Sequence, residues 1–263
     1  MKLSHKNTEA TPGGHLHKVR RPFWKHTIFY HWWTTFHRWR YFKFTLPRVV
    51  QTTVEGIHLN LTGMPPAVKN HVLKGHYKVA ARRQVVRFLT AEDRVLELGS
   101  GIGFLGLYCQ LRLGIRHYAG VEADPATIHL ADENYASNGH IPHLIQATLA
   151  SGEGTLSLRP ASPVTLDHPP KPATPTASPV APRTLPSLIR DLDFKPTAVI
   201  ADLGGAEQSL RWDELPASVR TVILDLHPDR LGLPTTYRII ADLVQEGFAV
   251  VAEEAGTYAF VRP

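Results

Sequence analysis

Glycines and acids carry the chemistry open to this sequence. Residues 95–106 read VLELGSGIGFLG, with Glu97 ahead of Gly99, Gly101, Gly103 and Gly106. An apolar run that enters glycines and then a helix leaves backbone N–H groups free at a turn. It also removes side chains where a ligand must approach the backbone closely. About 20 residues on, in HYAGVEADP, Glu122 closes the next apolar run. A carboxylate there can accept hydrogen bonds from both hydroxyls of an adenosine ribose. Farther along, AVIADLGGAEQSL carries Asp202 and Glu207, and TVILDLHPDR carries Asp225 and His227. A carboxylate or imidazole at those strand ends could take the proton of an attacking hydroxyl.

The glycines satisfy two frames. Gly101, Gly103 and Gly106 spell G-x-G-x-x-G, the turn of a dinucleotide site. Gly99, Gly101 and Gly103 spell G-x-G-x-G behind an acid, which suits S-adenosylmethionine (SAM). An extra carboxylate at Glu97 would repel a pyrophosphate, whereas SAM brings a positive sulfonium and an ammonium group. The strand also meets Gly99 first, which leaves Gly106 inside the following helix as a packing residue. The cofactor contacts expected on this frame are Glu97, Gly99, Ser100, Gly101, Gly103, Glu122 and Ala123. The bases expected for catalysis are Asp202, Glu207 and His227, in no fixed order. Taken singly, Asp202 as a helix cap and His227 as a loop hydrogen-bonder serve as well; four polar groups at one sheet edge favour a pocket.

Behind these residues lies an alternation of strands and helices. From about residue 65 the pattern predicts a helix over 78–89, a strand over 94–98, a helix over 103–113 and a strand over 117–122. Next come a helix over 126–138, a strand near 143–147, and a short strand near 155–158. After a Pro-rich insert at 160–186, with nine prolines, come a short helix over 185–192 and a strand over 197–202. A helix over 205–211, a strand over 219–226, a helix over 235–246 and strands near 248–253 and 256–261 complete the pattern. Two short strands around Glu55–Gly56 precede it. The alternation implies a doubly wound α/β fold with a mostly parallel sheet, and the final hairpin makes one strand antiparallel.

In that order, RVLELGSGIGFLGL, VEADP with LADENYASNG, IADLGGAEQSL and TVILDLHP resemble the FkbM-type SAM-dependent methyltransferases over about residues 65–263. The resemblance implies a seven-stranded, Rossmann-like class I methyltransferase fold. It also implies O-methyl transfer to a hydroxyl, often on a sugar, glycolipid or natural product. Carried over by position, Gly99, Gly101 and Glu122 would contact SAM, and Asp202 and Glu207 would belong to the second shared element. There are departures: Gly204 stands where the family usually has an acid, and GHYK places Lys78 where it often has another. Two rival readings remain, a non-catalytic SAM- or ligand-binding module and a nicotinamide-dependent oxidoreductase.

Charge divides the chain. Residues 1–48 hold ten Lys/Arg against Glu9, although the whole carries only +6. Phe29, Trp32, Trp33, Phe36 and Trp39 follow helical spacing within 23–46. This basic, aromatic extension (1–47) ahead of a domain at 48–263 is expected to pack on that domain or on a second copy. Contact with an anionic membrane surface is the next reading, and nucleic acid is disfavoured for want of a binding motif. The histidines lack a completing ligand set, so no metal is expected. The lone Cys109 reads as a small buried hydrophobe. With no apolar leader and no spanning run, the expected location is the cytoplasm, with contact at the inner membrane face as an option.

Overall fold

The computed structural model describes residues 35–37, 40–150, 180 and 182–263. Most of the aromatic segment 23–46, the strand expected near 155–158 and most of the Pro-rich insert lie outside the described residues. The chain divides into two units, Met1–Thr45 and Leu46–Pro263. In the first, a π-helical turn spans Tyr41–Thr45, and the Arg40 guanidinium lies 5.9 Å from the centre of the Phe36 ring.

The second unit opens with a hairpin, β1 (Gln51–Val54) and β2 (Ile57–Asn60), turned by Glu55 and Gly56 with positive φ. Then come α1 (Pro66–Leu73), α2 (Val79–Phe88), β3 (Arg94–Leu98), α3 (Phe104–Leu113), β4 (His117–Glu122), α4 (Pro125–Ser137) and β5 (Leu144–Gln146). The short strands β6 (Thr148–Leu149) and β7 (Pro182–Arg183) pair beside the main sheet, ahead of α5 (Leu185–Arg190). The chain ends with β8 (Ala198–Ala201), β9 (Thr221–Asp225), α6 (Pro228–Leu231), α7 (Leu233–Gln245), β10 (Ala249–Glu254) and β11 (Thr257–Val261).

Seven strands form one sheet in the order β10-β11-β9-β8-β3-β4-β5. Only β11 runs against its neighbours. This is the seven-stranded, doubly wound arrangement of the Rossmann-like class I methyltransferase fold, as expected from the sequence. The strand order reverses between β3 and β8, so the carboxyl ends of β3, β4, β8 and β9 border one crevice.

The central strands are buried on both faces because they are continuous apolar runs covered by helices. Alternation along them sends Leu96, Leu98, Val199 and Val222 into one core, and Val95, Ala198, Ile200 and Ile223 into the other. Cys109 is buried in the second core, as read from the sequence.

A third cluster seats the β1–β2 hairpin and α1 on Ile102, Phe104, Leu107 and Tyr135. Asn134, fully buried, clasps it: its side chain accepts from Asn60 N (2.6 Å) and donates to Ile102 O (2.9 Å). The helix α1 has no counterpart in the sequence reading. Its buried face includes Lys69, whose ammonium donates to Pro47 O (3.1 Å) and Val49 O (2.6 Å), a solution invisible in local pattern. The helix expected over 205–211 is replaced by a single 3-10 turn, Ala206–Ser209. Gly204 and Gly205 take positive φ ahead of it, and Leu210 is already extended. Among the described residues, no helix is long and apolar enough to cross a membrane.

Candidate functional site

The glycine turn joins β3 to α3, and its glycines serve different ends. Gly99 has φ +84°, and a Cβ there would lie 2.1 Å from the backbone O of Asp202. The Gly99 and Ser100 amides both donate to Val121 O (2.8 and 3.0 Å), which locks the turn onto β4. Gly103, φ +76°, precedes α3, and a Cβ there would sit 2.7 Å from the Tyr135 ring. Gly101 is different: a Cβ on it would meet only the Tyr77 hydroxyl, at 3.4 Å. Gly99 and Gly103 are therefore required by the protein's own packing, while Gly101 offers the approachable backbone. Gly106 lies within α3, where a Cβ would fall 2.1 Å from the Tyr135 hydroxyl and 2.8 Å from the Tyr118 ring. It is a packing residue, as the G-x-G-x-G frame requires.

Glu122, 7% exposed at the end of β4, ties that strand to the turn. One carboxylate oxygen accepts from Gly101 N (2.9 Å); the other accepts from Ala123 N (2.8 Å) and Asp124 N (3.1 Å). Burial raises its pKa, and the three amides oppose that rise. A carboxylate offers about four lone-pair sites, so roughly one remains for a ligand, where the sequence suggested room for two ribose hydroxyls. Ser100 Oγ, beside it in the turn, is buried without a hydrogen-bond partner.

Glu97 is 2% exposed and accepts from the Tyr118 hydroxyl at 2.7 Å. Burial lifts its pKa to about 7. It shares the face of Val95 two residues earlier, beneath the turn rather than on it. Among the described residues, no turn amide is hydrogen-bonded to it.

Across the switch point stands the second group. Asp202, just past β8, forms an ion pair with Lys78, which immediately precedes α2 with φ +53°. Burial works against the Lys78 charge, but Asp202 and the neighbouring acids outweigh it and raise its pKa. Burial likewise opposes the Asp202 charge, and Lys78 with His227 holds its pKa below the ordinary value. The Tyr77 hydroxyl is pushed up to about 12 by burial.

His227, which opens α6, lies between two acids. Its Nε2 is 3.8 Å from Asp202 and its Nδ1 3.7 Å from Glu207, both beyond hydrogen-bond reach. Its Nδ1 is buried without a partner. Glu207 beside the ring raises the His227 pKa, against burial. Glu207 is itself 0% exposed, with its two oxygens held by Leu203 N and Gly205 N, each at 2.8 Å. Its carboxylate shapes the 203–207 turn. Asp225, ending β9, is raised to about 6 by burial and by Asp202 nearby, and accepts from Thr257 Oγ1 at 3.3 Å.

Asp202, Glu207 and His227 can bring ligand atoms within 4.8 Å of one another, the spacing of a metal site. The arrangement suits an ion-pair network better. The two His227 nitrogens face different carboxylates, Glu207 is committed to amides, and Lys78 supplies Asp202 with a positive charge.

The fold thus brings together two groups about 80 to 130 residues apart. One is the turn with Glu122, Ala123 and Ser100; the other is Asp202, Glu207, Asp225 and His227. Sequence reasoning noted Lys78 only as a departure and did not single out Tyr77. Arg230, whose guanidinium donates to Gly204 O at 3.1 Å, was also unmarked.

No protein-family model matches the chain. The ribosomal protein L11 methyltransferase of Geobacter sulfurreducens is 37% identical over 67 residues, 26% of this chain; the match spans about a fifth (22%) of that relative's length. Among solved structures, the ribosomal protein L11 methylase of Lactobacillus delbrueckii subsp. bulgaricus is similar over 72% of this chain and 80% of its own, with 16% identity and a TM-score of 0.45. The magnesium protoporphyrin IX methyltransferase of Synechocystis, solved with bound SAM, is similar over 90% and 96%, with 15% identity and a TM-score of 0.45.

Proposed function

We propose that this chain is a SAM-dependent methyltransferase acting on a hydroxyl of a sugar, glycolipid or natural-product acceptor. The observation that carries the cofactor reading is the hydrogen bond from Gly101 N to Glu122. It makes the glycine turn of β3 and the acid of β4 one cradle at the switch point. The Gly101 backbone, the orphan Ser100 hydroxyl and the last acceptor site of Glu122 fit an adenosine ribose. Buried acids under and beside this turn oppose a pyrophosphate. The 67-residue match to a methyltransferase agrees with this reading.

When bound, SAM supplies an electrophilic methyl group on a positively charged sulfur. The protein's share is alignment of the acceptor oxygen and removal of its proton. Asp202, held below the ordinary range, is a poor base. Asp225, at about 6, is largely ionised near neutrality yet more basic than an ordinary aspartate. His227, raised by Glu207, gains basicity only as pH climbs past its pKa. Asp225 and His227 are therefore the better proton acceptors, with Glu207 holding the turn that faces them.

The acceptor class rests on the FkbM-type order of motifs. Incubating the protein with methyl-labelled SAM and separate glycan, lipid and protein fractions tests it. Label in glycans or lipids supports the reading, and label confined to protein removes the acceptor class. Binding without transfer to any fraction would establish the non-catalytic module instead.

A further inference from the structure

We infer that the chain self-associates through the outer flank of α7 and the edge strand β10, in a twofold pair that joins this face to the same face of a second copy. The inference stands apart from the reading of the glycine turn.

Two apolar stripes run along α7, and the sheet beneath it uses one. Thr236, Ile239 and Leu243 are buried toward the sheet. Leu233, Tyr237, Ile240 and Val244 recur at i, i+4, i+7 and i+11, a second stripe turned roughly a quarter of a circle from the first. Of these, Ile240 alone packs against the core. Burial raises the Tyr258 pKa, and the nearby Glu253 and Tyr237 add to it. Tyr237 therefore stands beside the end of β10, so the second stripe borders the edge of the sheet.

The edge strand extends the patch. β10 closes the sheet, with β11 as its neighbour on one side. Val250 pairs with Phe260 of the core beneath α7, so it shares the α7 face. The register shifts between Val250 and Ala252, which leaves Val251 without a partner on β11. Such a bulge discourages the ladder from continuing across the edge, so the contact is made by side chains. Leu233, Tyr237, Val244, Val250 and Val251 are each 41–63% exposed. They form an apolar patch on the order of 400 Å², the size at which exposed patches mark interaction sites.

Charge selects the occupant. Residues 232–263 carry Asp242, Glu246, Glu253 and Glu254 against Arg238 and Arg262. That balance opposes an anionic lipid or nucleic-acid surface. The signs are also separated along the edge. Glu253 and Glu254 end β10, and Glu254 is paired with Arg83. Arg262 lies beside the start of β10, its guanidinium 4.2 Å from the centre of the Phe248 ring. Its Nε is buried without a hydrogen-bond partner. A twofold axis across the strand runs two β10 edges antiparallel. It sets Glu253 of each copy toward Arg262 of the other, so one self-complementary face supplies both contacts. One oxygen of Glu253 accepts from Gly256 N at 3.0 Å, and the carboxylate keeps acceptor sites for a guanidinium.

A patch of this size predicts a roughly micromolar dimer. Sedimentation velocity of the full chain from about 1 to 100 µM should show monomer giving way to dimer. Tyr237→Lys, at an exposed position that leaves the core intact, should keep the chain monomeric over that range. Glu253→Arg and Arg262→Glu should each weaken the dimer at least tenfold. Mixed in equal amounts, these two variants should form a heterodimer at least as tight as the wild-type dimer, because opposite charges then meet at both contacts. That recovery also shows that both are folded. A wild type that stays monomeric would overturn the inference; if that monomer binds neutral phosphatidylcholine vesicles, the face belongs to lipid. A dimer that Tyr237→Lys leaves unchanged would overturn it too, by placing self-association elsewhere in the chain. So would single charge variants, folded by thermal melt, whose mixture gains nothing.

Discussion

Glu122→Ala tests the cradle most directly. The carboxylate accepts three backbone N–H groups, from Gly101, Ala123 and Asp124. Truncation strands them, at about 1–3 kcal/mol for each donor that water cannot reach. Ala123 and Asp124 are only half-buried, so water can replace the carboxylate there, while Gly101 N is buried and stays unsatisfied. Removing a carboxylate whose burial already raises its pKa offsets part of the loss. The net is about 2 kcal/mol, or roughly 4–8 °C in melting temperature for a domain of this size. Binding should suffer separately. One charge-assisted hydrogen bond to the ribose is worth about 1.5–3 kcal/mol, which weakens S-adenosylhomocysteine affinity roughly 10- to 150-fold. With about one acceptor site free, the lower half of that range is expected. Glu122→Gln keeps one accepting oxygen but turns an NH2 toward a backbone donor, so it should recover at most part of both losses. Calorimetric titration and thermal melts read the two effects apart. A lowered melting temperature with affinity unchanged within twofold would make Glu122 a structural staple alone. No change in either would refute the hydrogen-bond argument itself.

Gly106→Ala should lower stability by about 1–3 kcal/mol, since the new methyl overlaps Tyr135 and Tyr118. Cofactor affinity of the folded protein should stay within twofold; a large loss of affinity at unchanged stability would return Gly106 to the site. Glu97 has a folded pKa of about 7 against an unfolded 4.5, so the folded state binds the extra proton between those values. Its contribution is fully present below about pH 4.5 and is lost as pH rises through 7, a span of about 3 kcal/mol. Glu97→Gln, which can still accept from Tyr118, should remove that slope: chemical denaturation from pH 5 to 8 should show the variant gaining on wild type as pH rises. Parallel curves would mean that Glu97 is ionised throughout. Asp225→Asn should cut methyl transfer at least tenfold with cofactor affinity held within threefold, measured by single-turnover transfer and titration; full activity would leave His227 as the base.

Much of the first half of the site was legible in the chain itself. A continuous apolar run entering glycines specifies its own geometry, because φ/ψ sterics and periodicity act between neighbours. The strands expected over 94–98 and 117–122 are β3 and β4, residue for residue, and Gly106 falls inside α3 as read. Glu97 shows where such reading stops. The sequence marks it as an acid suited to the positive charges of SAM, and the fold places it on the buried face of Val95, where it accepts from the Tyr118 hydroxyl. The helix α1 has no signal in the sequence pattern, and the helix expected over 205–211 shrinks to a turn at 206–209, because side chains far along the chain or folded back on it, Lys69 to the Pro47 and Val49 carbonyls and Glu207 to its own turn amides, override local propensity. The roles within the acid cluster belong wholly to tertiary structure. Asp202, Asp225 and Glu207 are alike as letters. What separates a low pKa from a raised one, and both from a carboxylate bound to amides, is which partner lies within a few ångströms. Lys78 reaches Asp202 across 124 residues of chain, and only the folded sheet edge makes that Coulomb term large.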